Sequence, residues 1–503
     1  MIIKTRAKTA LCTVNRGRKI LSWAIFIPAA SSSGPKFFGS FFQKRPKLFA
    51  CLVFAGLSSQ AQALSPDQMQ KIDEAARAAL QATGVPGASV AIVQGGRIVA
   101  ERAYGLASLD SKRALTPAMI LPIGSVSKQF TASVILLLVQ EGRLSLDDKV
   151  SKYLPELTQA DDITVRMLLE HVSGYQDDQP EDYSVPQSAI PRTPQSLADE
   201  WGRKPLDFPP GTQWQYSNTG FTIAALIAQK AGGKPFFAQL QDGILNPLHL
   251  ASAIDFDALG LPKGAPVGYE QYALELPHPG VPSAPGWSFG AGELAMTAHD
   301  LATWDISILD RSLLTPASYD AMETEGRLKN GHGTGYGLGV FLGSHGTHRF
   351  IEHSGEEVGF VSENLLYPAE RDAVVVLTNQ DASRAASIIG RSVSQIAFGI
   401  DAAATADPKA DQVLAICAGL AEGKLDRGLF NDAANSYFTP DAIKAYQASL
   451  QSLGMPLAIH ERLNELRGGM KFRVYSLDFA KRTVTVTVYE EPDGKLDQFL
   501  IFA

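Results

Sequence analysis

Strand-like patterning sits at the two ends of one long stretch of this chain and is missing from its middle. The runs Ala88–Val93 and Arg97–Tyr104 are joined by Gln94-Gly95-Gly96. A Gly-Gly pair between strand-like runs is a hairpin signal, because the tightest turns need positive φ at their central residues. Strand signals return at His348–His353, Phe360–Tyr367 and Ala373–Thr378, and a helix pattern, Ala382–Phe398, closes the region. From about Ser125 to Leu309 the patterns are mostly helical, cut by Pro- and Gly-rich loops. Gln129–Glu141 stops at Gly142, and Ile163–His171 stops near Gly174. The order predicts an α+β fold. One antiparallel sheet is assembled from both ends of the region and flanked by helices, with a large helical insertion between its halves.

A boundary is expected near Gly399–Lys409 (GIDAAATADPK). Residues 401–503 then read as a small separate α+β domain that looks similar to the NTF2-like type. Val413, Cys417 and Leu420 share one helical face, KFRVYSLDF and RTVTVTVYE alternate with period two, and KLDQFLIF ends the chain as a strand. This part carries no catalytic constellation, which points to packing, substrate gating or dimerisation. The catalytic region is expected at 64–400.

Residues 1–63 read as an address. They carry ten Lys and Arg and no Asp or Glu, which leaves the rest of a chain of net charge -7 at -17. Lys44, Arg45 and Lys47 precede the apolar run Leu48–Leu57, and small residues end at Ala61-Gln62-Ala63. Basic flank, short apolar run and A-x-A site make a signal peptide, cleaved after Ala63. The run is too short for a stable membrane span, so a periplasmic or secreted protein is expected. Leu48-Phe49-Ala50-Cys51 loosely imitates a lipoprotein box but precedes most of the apolar run. A later translation start would account for residues 1–43; a membrane anchor or disordered tail is the other reading. Of Cys12, Cys51 and Cys417, only Cys417 would remain, which excludes an internal disulfide and suggests a packed core thiol. The acidic body argues against a nucleic-acid partner. With 45% hydrophobic and 19% charged residues, the chain has globular composition for two or three domains.

The chemistry starts at Gly124-Ser125-Val126-Ser127-Lys128. A serine hydroxyl needs a base to become a nucleophile. Three apart on a helix, Ser125 and Lys128 face the same way, whereas Ser127 points elsewhere. At a helix N-terminus the partial positive charge favours an alkoxide and a later oxyanion. The pattern alone is weak, since a chain of this length shows roughly one or two Ser-x-x-Lys matches by chance. One such match, Ser33-Gly34-Pro35-Lys36, cannot start a helix in the same way. Tyr216-Ser217-Asn218 precedes the helix pattern Phe221–Ala231. A phenol there can relay a proton from a lysine, and an amide can hold a carbonyl or the lysine itself. His353-Ser354-Gly355 ends the run HRFIEH, where small residues let a backbone approach closely. Lys329-Asn330-Gly331 competes for the same reading but sits in a Gly-rich stretch without strand pattern.

Ser-x-x-Lys, then Tyr-x-Asn, then His-x-Gly, in that order, resembles the serine β-lactamase, penicillin-binding-protein, DD-peptidase and esterase superfamily. LLEHVSGY, GAGELAMTAHDLATW, YGLGV and HSGEEVGF match its usual text, and the resemblance spans about residues 65–400. It implies acyl transfer without metal or cofactor. Ser125 attacks a carbonyl, and Lys128 and Tyr216 move the proton. Asn218, His353 and Gly355 meet the substrate, and the backbone N–H groups of Ser125 and Glu356 form the oxyanion hole. The implied partner is a small-molecule substrate: a D-amino-acid peptide, a short ester or a β-lactam. The alternative is a slow penicillin-binding or sensor protein of the same fold. Two departures stand out. His353 replaces the lysine with which class C β-lactamases hold a β-lactam carboxylate, and a neutral imidazole holds it less well. Glu293 stands where the family more often has Gly, either favouring an amine-bearing substrate or pointing to solvent. His171 and Ser173 are expected to hold a turn, Tyr336 to pack on the sheet, and Trp214 and Trp287 to pack in the core.

Overall fold

The computed structural model describes residues 64–181, 183, 185–400, 410–467, 470–491 and 494–503. The expected signal peptide and the segment 401–409 lie outside the described residues. The first helix, α1 (Pro66–Thr83), opens with a capping box, in which Ser65 Oγ accepts from Gln68 N and Gln68 Oε1 accepts from Ser65 N.

A seven-stranded antiparallel sheet follows: β1 (Gly87–Gln94), β2 (Arg97–Ser108), β3 (Arg113–Ala114), β4 (Phe341–His345), β5 (His348–Glu357), β6 (Phe360–Tyr367) and β7 (Asp372–Thr378). Their spatial order is β3-β2-β1-β7-β6-β5-β4. The first hairpin turns through Gly95 and Gly96 at φ +58° and +77°, the left-handed pair that the Gly-Gly signal foretold. The two ends of the region meet in mid-sheet, where β1 pairs with β7 from Ala88↔Thr378 to Val93↔Ala373. These central strands are mostly Val, Ala, Ile and Leu because both faces are covered.

The helical insertion lies on one face. Its main helices are α2 (Ser127–Gln140), α3 (Asn218–Gly232) and α4 (Ala298–Leu309). Phe130, Ile135, Ile223, Leu301 and Trp304 join Ala91, Val93, Val375 and Leu377 in one core. The other face is covered by α1 and α5 (Ala385–Val393), with Ile72, Ala76, Ile389 and Val393 against Val90, Ile92, Val374 and Val376.

The C-terminal part builds a four-stranded antiparallel sheet from β8 (Ala458–Arg467), β9 (Met470–Asp478), β10 (Thr483–Glu490) and β11 (Leu496–Phe502), in sequence order. Helices α6 (Ala410–Ala421) and α7 (Pro440–Leu453) cover it. Val413, Cys417 and Leu420 pack against Tyr446, Tyr475, Val486 and Phe499, and Cys417 is a free, buried thiol. Ala273 and Leu274 of the preceding region enter this core. Further ties are Leu274 N donating to Ser449 Oγ, Tyr183 OH to Asp497 O, and Arg384 Nη1 to Thr485 Oγ1.

Candidate active site

Gly124–Val126 form a single 3₁₀ turn that runs directly into α2. Gly124 has φ +50°, and a Cβ there would lie 2.7 Å from both Glu356 N and Glu356 O. Only glycine lets the turn press this closely on the end of β5. Ser125 is thereby lifted to the start of the helix, facing a cavity. Ser127 points away, as expected, and its Oγ accepts from Leu294 N.

Lys128 is fully buried. Its Nζ lies 2.9 Å from Ser125 Oγ, 2.7 Å from Asn218 Oδ1 and 2.9 Å from Ala291 O. An ammonium has three donors, and here each has an acceptor. Without one proton, the amine keeps its bonds to Asn218 and Ala291 and turns a lone pair towards Ser125. The rings of Tyr216 and Phe221 flank the nitrogen at 4.8 and 5.5 Å from their centroids.

The segment that supplies Tyr216 and Asn218 is pinned from several sides. Ser217 caps α3 by accepting from Gly220 N, and its own N–H donates to His171 Nδ1. His171 takes φ +57° at the expected turn, and its ring lies 4.3 Å from that of Tyr216. Asp177 accepts from Asn218 N and Asp178 from Thr219 Oγ1. These two carboxylates sit at the positive end of α3 and were not singled out from the sequence. Burial, with Asp177 adding to it, pushes Asp178 up to about 7.

His353 reaches the cavity, but both ring nitrogens are engaged within the protein. Nδ1 lies 2.6 Å from Ser354 O, which can only accept, so Nδ1 carries the proton. Nε2 therefore accepts from Tyr336 OH at 2.8 Å. Burial, reinforced by the Lys128 charge and opposed by the Ser354 carbonyl, pushes His353 down to about 3, so the ring is neutral. Tyr336 does more than pack on the sheet, because it fixes this imidazole from a cluster with His171, Trp214 and Phe341. Gly355 accommodates the chain's own Ile123 carbonyl, which occupies the space of a Cβ; the sequence had suggested room for a substrate backbone.

Glu293 does not point to solvent. It is 2% exposed, and its Oε2 accepts from Gly290 N. Burial, with Asp255 and Asp257 adding to it, holds its carboxyl well above the usual range. Of the two readings offered for Glu293, the one pointing to solvent is thus excluded by its place inside the Gly290–Leu294 turn.

Ser125, Tyr216, Asn218, His353, Gly355 and Glu356 all border one cavity of about 470 Å³. Trp287 is both buried and part of this wall, whereas Trp214 packs in the aromatic cluster. Two residues of the C-terminal sheet, Leu463 of β8 and Phe472 of β9, also line it. Among the described residues no group of three or more His, Cys, Asp or Glu is placed to hold a metal, and no helix is long and apolar enough to cross a membrane.

Fold and site together define a serine hydrolase of the β-lactamase, DD-peptidase and esterase type. The family model described as Beta-lactamase matches residues 72–396, and the chain belongs to that family. Protein flp of Staphylococcus aureus (strain N315) is 27% identical over 347 residues, covering 66% of this chain and 67% of that protein. A D-stereospecific amidohydrolase from Streptomyces sp. superposes with a TM-score of 0.56 at 25% identity, covering 66% of this chain and 98% of the other. The octameric penicillin-binding protein homologue from Pyrococcus abyssi superposes with a TM-score of 0.58 at 21% identity. That match covers 86% of this chain and 100% of the other.

Proposed function

We propose that this chain is an exported enzyme that cleaves amide or ester bonds of small substrates through an acyl-enzyme on Ser125. The observation that carries the reading is the 2.9 Å approach of Lys128 Nζ to Ser125 Oγ, with Asn218 and Ala291 holding the other two donors. Lys128 accepts the Ser125 proton as Oγ bonds to the substrate carbonyl carbon. The N–H groups of Ser125 and Glu356 receive the oxyanion. Tyr216 relays that proton from Lys128 to the departing amine or alkoxide as the C–N or C–O bond breaks, which returns both groups to their starting states. A water then attacks the ester, and the acid leaves with Ser125 reprotonated. Export follows the signal-peptide reading of residues 1–63, and the substrate is a small molecule, not nucleic acid.

Amides of D-amino acids and short esters fit better than β-lactams, because the neutral, internally bonded His353 offers no charge to a β-lactam carboxylate. The Streptomyces relative, described as a D-stereospecific amidohydrolase, supports the amide reading. The C-terminal residues 401–503 act as a separate domain that shapes the cavity through Leu463 and Phe472. A slow penicillin-binding protein is the second reading, since the same Ser125 site can acylate and fail to release.

Intact-protein mass spectrometry after incubation with a penicillin and with p-nitrophenyl acetate tests this, with Ser125→Ala alongside. Acylation or turnover by the wild type only is the expected result. A lasting penicillin adduct favours the second reading. Equal turnover by the Ser125→Ala variant sinks both.

A further inference from the structure

The wall around Ser125 is one-sided in charge. Five carboxylates border the cavity, Glu181, Glu352, Glu356, Glu357 and Asp381, and none of its described lining residues is Lys or Arg. Lys128 is the nearest cation, but it is buried behind Ser125 with its donors taken. A substrate carboxylate would find no Lys or Arg there, whereas a cation would find carboxyl groups that can ionise to receive it.

The carboxylates are not equivalent. Glu356 accepts from Ala382 N and Asp381 from Gly359 N, so both brace the end of β5. Glu357 differs. Its Oε1 accepts from Ser288 Oγ at 2.9 Å, and among the described residues nothing donates to its Oε2. Along β5, Glu357 falls on the same face as His353 and Gly355, and Gly355 is the residue packed against the Ile123 carbonyl just before Ser125. A Cβ on Gly292 would lie 2.5 Å from Glu357 Oε1. The neighbouring Ala291 carbonyl is the one that holds Lys128 Nζ. Glu357 is therefore one residue removed from the anchor of the Ser125–Lys128 pair, with one oxygen open to the cavity. Burial pushes its carboxyl up to about 8, Asp257 adds to this, and Ser288 and Lys128 oppose it. A buried carboxylate without a full counter-charge is costly, and an ammonium relieves that cost.

We infer that the cavity selects substrates with a free ammonium group beside the scissile carbonyl, held by Glu357, such as amides or esters of amino acids with an unblocked amine. This rests on the acyl-enzyme reading of Ser125 and narrows its substrate class.

The test compares kcat/KM for p-nitroanilides of D- and L-alanine whose amine is free, acetylated or succinylated, that is cationic, neutral or anionic. p-Nitrophenyl acetate reports acylation of Ser125 by intact mass. For the preferred enantiomer, the free amine should exceed the acetylated form by about tenfold or more, with the succinylated form lowest. Glu357→Gln should bring the free-to-acetylated ratio close to one, and Glu357→Asp should restore part of it. Equal rates for free and acetylated substrates in the wild type overturn the inference, as does an unchanged ratio in a folded Glu357→Gln variant. If that variant does not fold, the wild-type series decides alone. Acylation by p-nitrophenyl acetate without amine preference overturns this inference only, and no acylation of Ser125 overturns the reading beneath it.

Discussion

The two walls of the cavity are built by different physics. The wall formed by the Ser125 turn, α2 and α3 is a closed set of hydrogen bonds around one lysine. Ser125, Asn218 and Ala291 accept from it, and Asp177, Asp178 and His171 fix the segment that carries Asn218. The wall from the C-terminal sheet offers Leu463, 39% exposed, and Phe472, stacked on Tyr489 at 4.5 Å. One wall holds atoms in place to do chemistry, and the other fills space. Substitutions in the first should change rates, and substitutions in the second should change which substrates fit.

The largest effect belongs to the first wall. Lys128→Met should remove the proton acceptor while keeping a long side chain, lowering kcat/KM for a p-nitrophenyl ester by about 10³-fold or more. Asn218→Ala should cost less, because it removes one charge-assisted hydrogen bond worth about 1.5–3 kcal/mol, or ~10- to 150-fold. If Asn218→Ala proved as damaging as Lys128→Met, Asn218 would touch the substrate itself, and the division of labour within this wall would need redrawing.

Two groups on β5 sharpen the comparison by pH. His353 is pushed down to about 3 by burial and the Lys128 charge. Its contribution to stability is present above its ordinary pKa near 6.5 and is lost as pH falls towards 3. Glu357 is pushed up to about 8 by burial and Asp257. Its contribution is present below about 4.5 and is lost as pH rises through 8. Glu357→Gln, which cannot ionise, should therefore gain in melting temperature relative to the wild type between pH 5 and 9. A constant difference across that window would mean that Glu357 is already compensated in the empty cavity. Because His353 stays neutral throughout, its titration should leave no inflection in kcat/KM between pH 5 and 8.

How much of this was legible follows the range of the interactions. Ser125 and Lys128 could be paired from the sequence because one helical turn joins them, and Gly95-Gly96 because the turn is local. That one antiparallel sheet joins the two ends of the region followed from the strand signals there, whereas the order of its seven strands did not. Ala291, Asp177, Tyr336 and Glu357 could not be assigned, because each meets its partner only after the insertion folds back. For the same reason the sequence leaves Glu293 open between a place near the pocket and one facing solvent, and its burial shows only in the fold. The edge strand β4 was missed because FLGSH has no alternation, and β8 because AIHERLNELR carries charged residues suited to an edge.

The smallest expected effect tests the second wall. Leu463 sits beside the register shift between Glu461 and Leu463 on β8, the sheet's edge strand, and reaches the cavity from there. Being partly exposed, it contributes less to stability than a core leucine, so Leu463→Ala should lower stability by less than about 1.5 kcal/mol. The rate for p-nitrophenyl acetate should stay within about twofold, since a two-carbon acyl group leaves most of the cavity unfilled. For p-nitrophenyl esters with long or branched acyl chains, KM should change several-fold while kcat moves little, as uniform binding contacts do. A fall in kcat for the acetate ester would show that the C-terminal sheet holds the Ser125 side in position, and the two walls would then have to be treated as one structural unit.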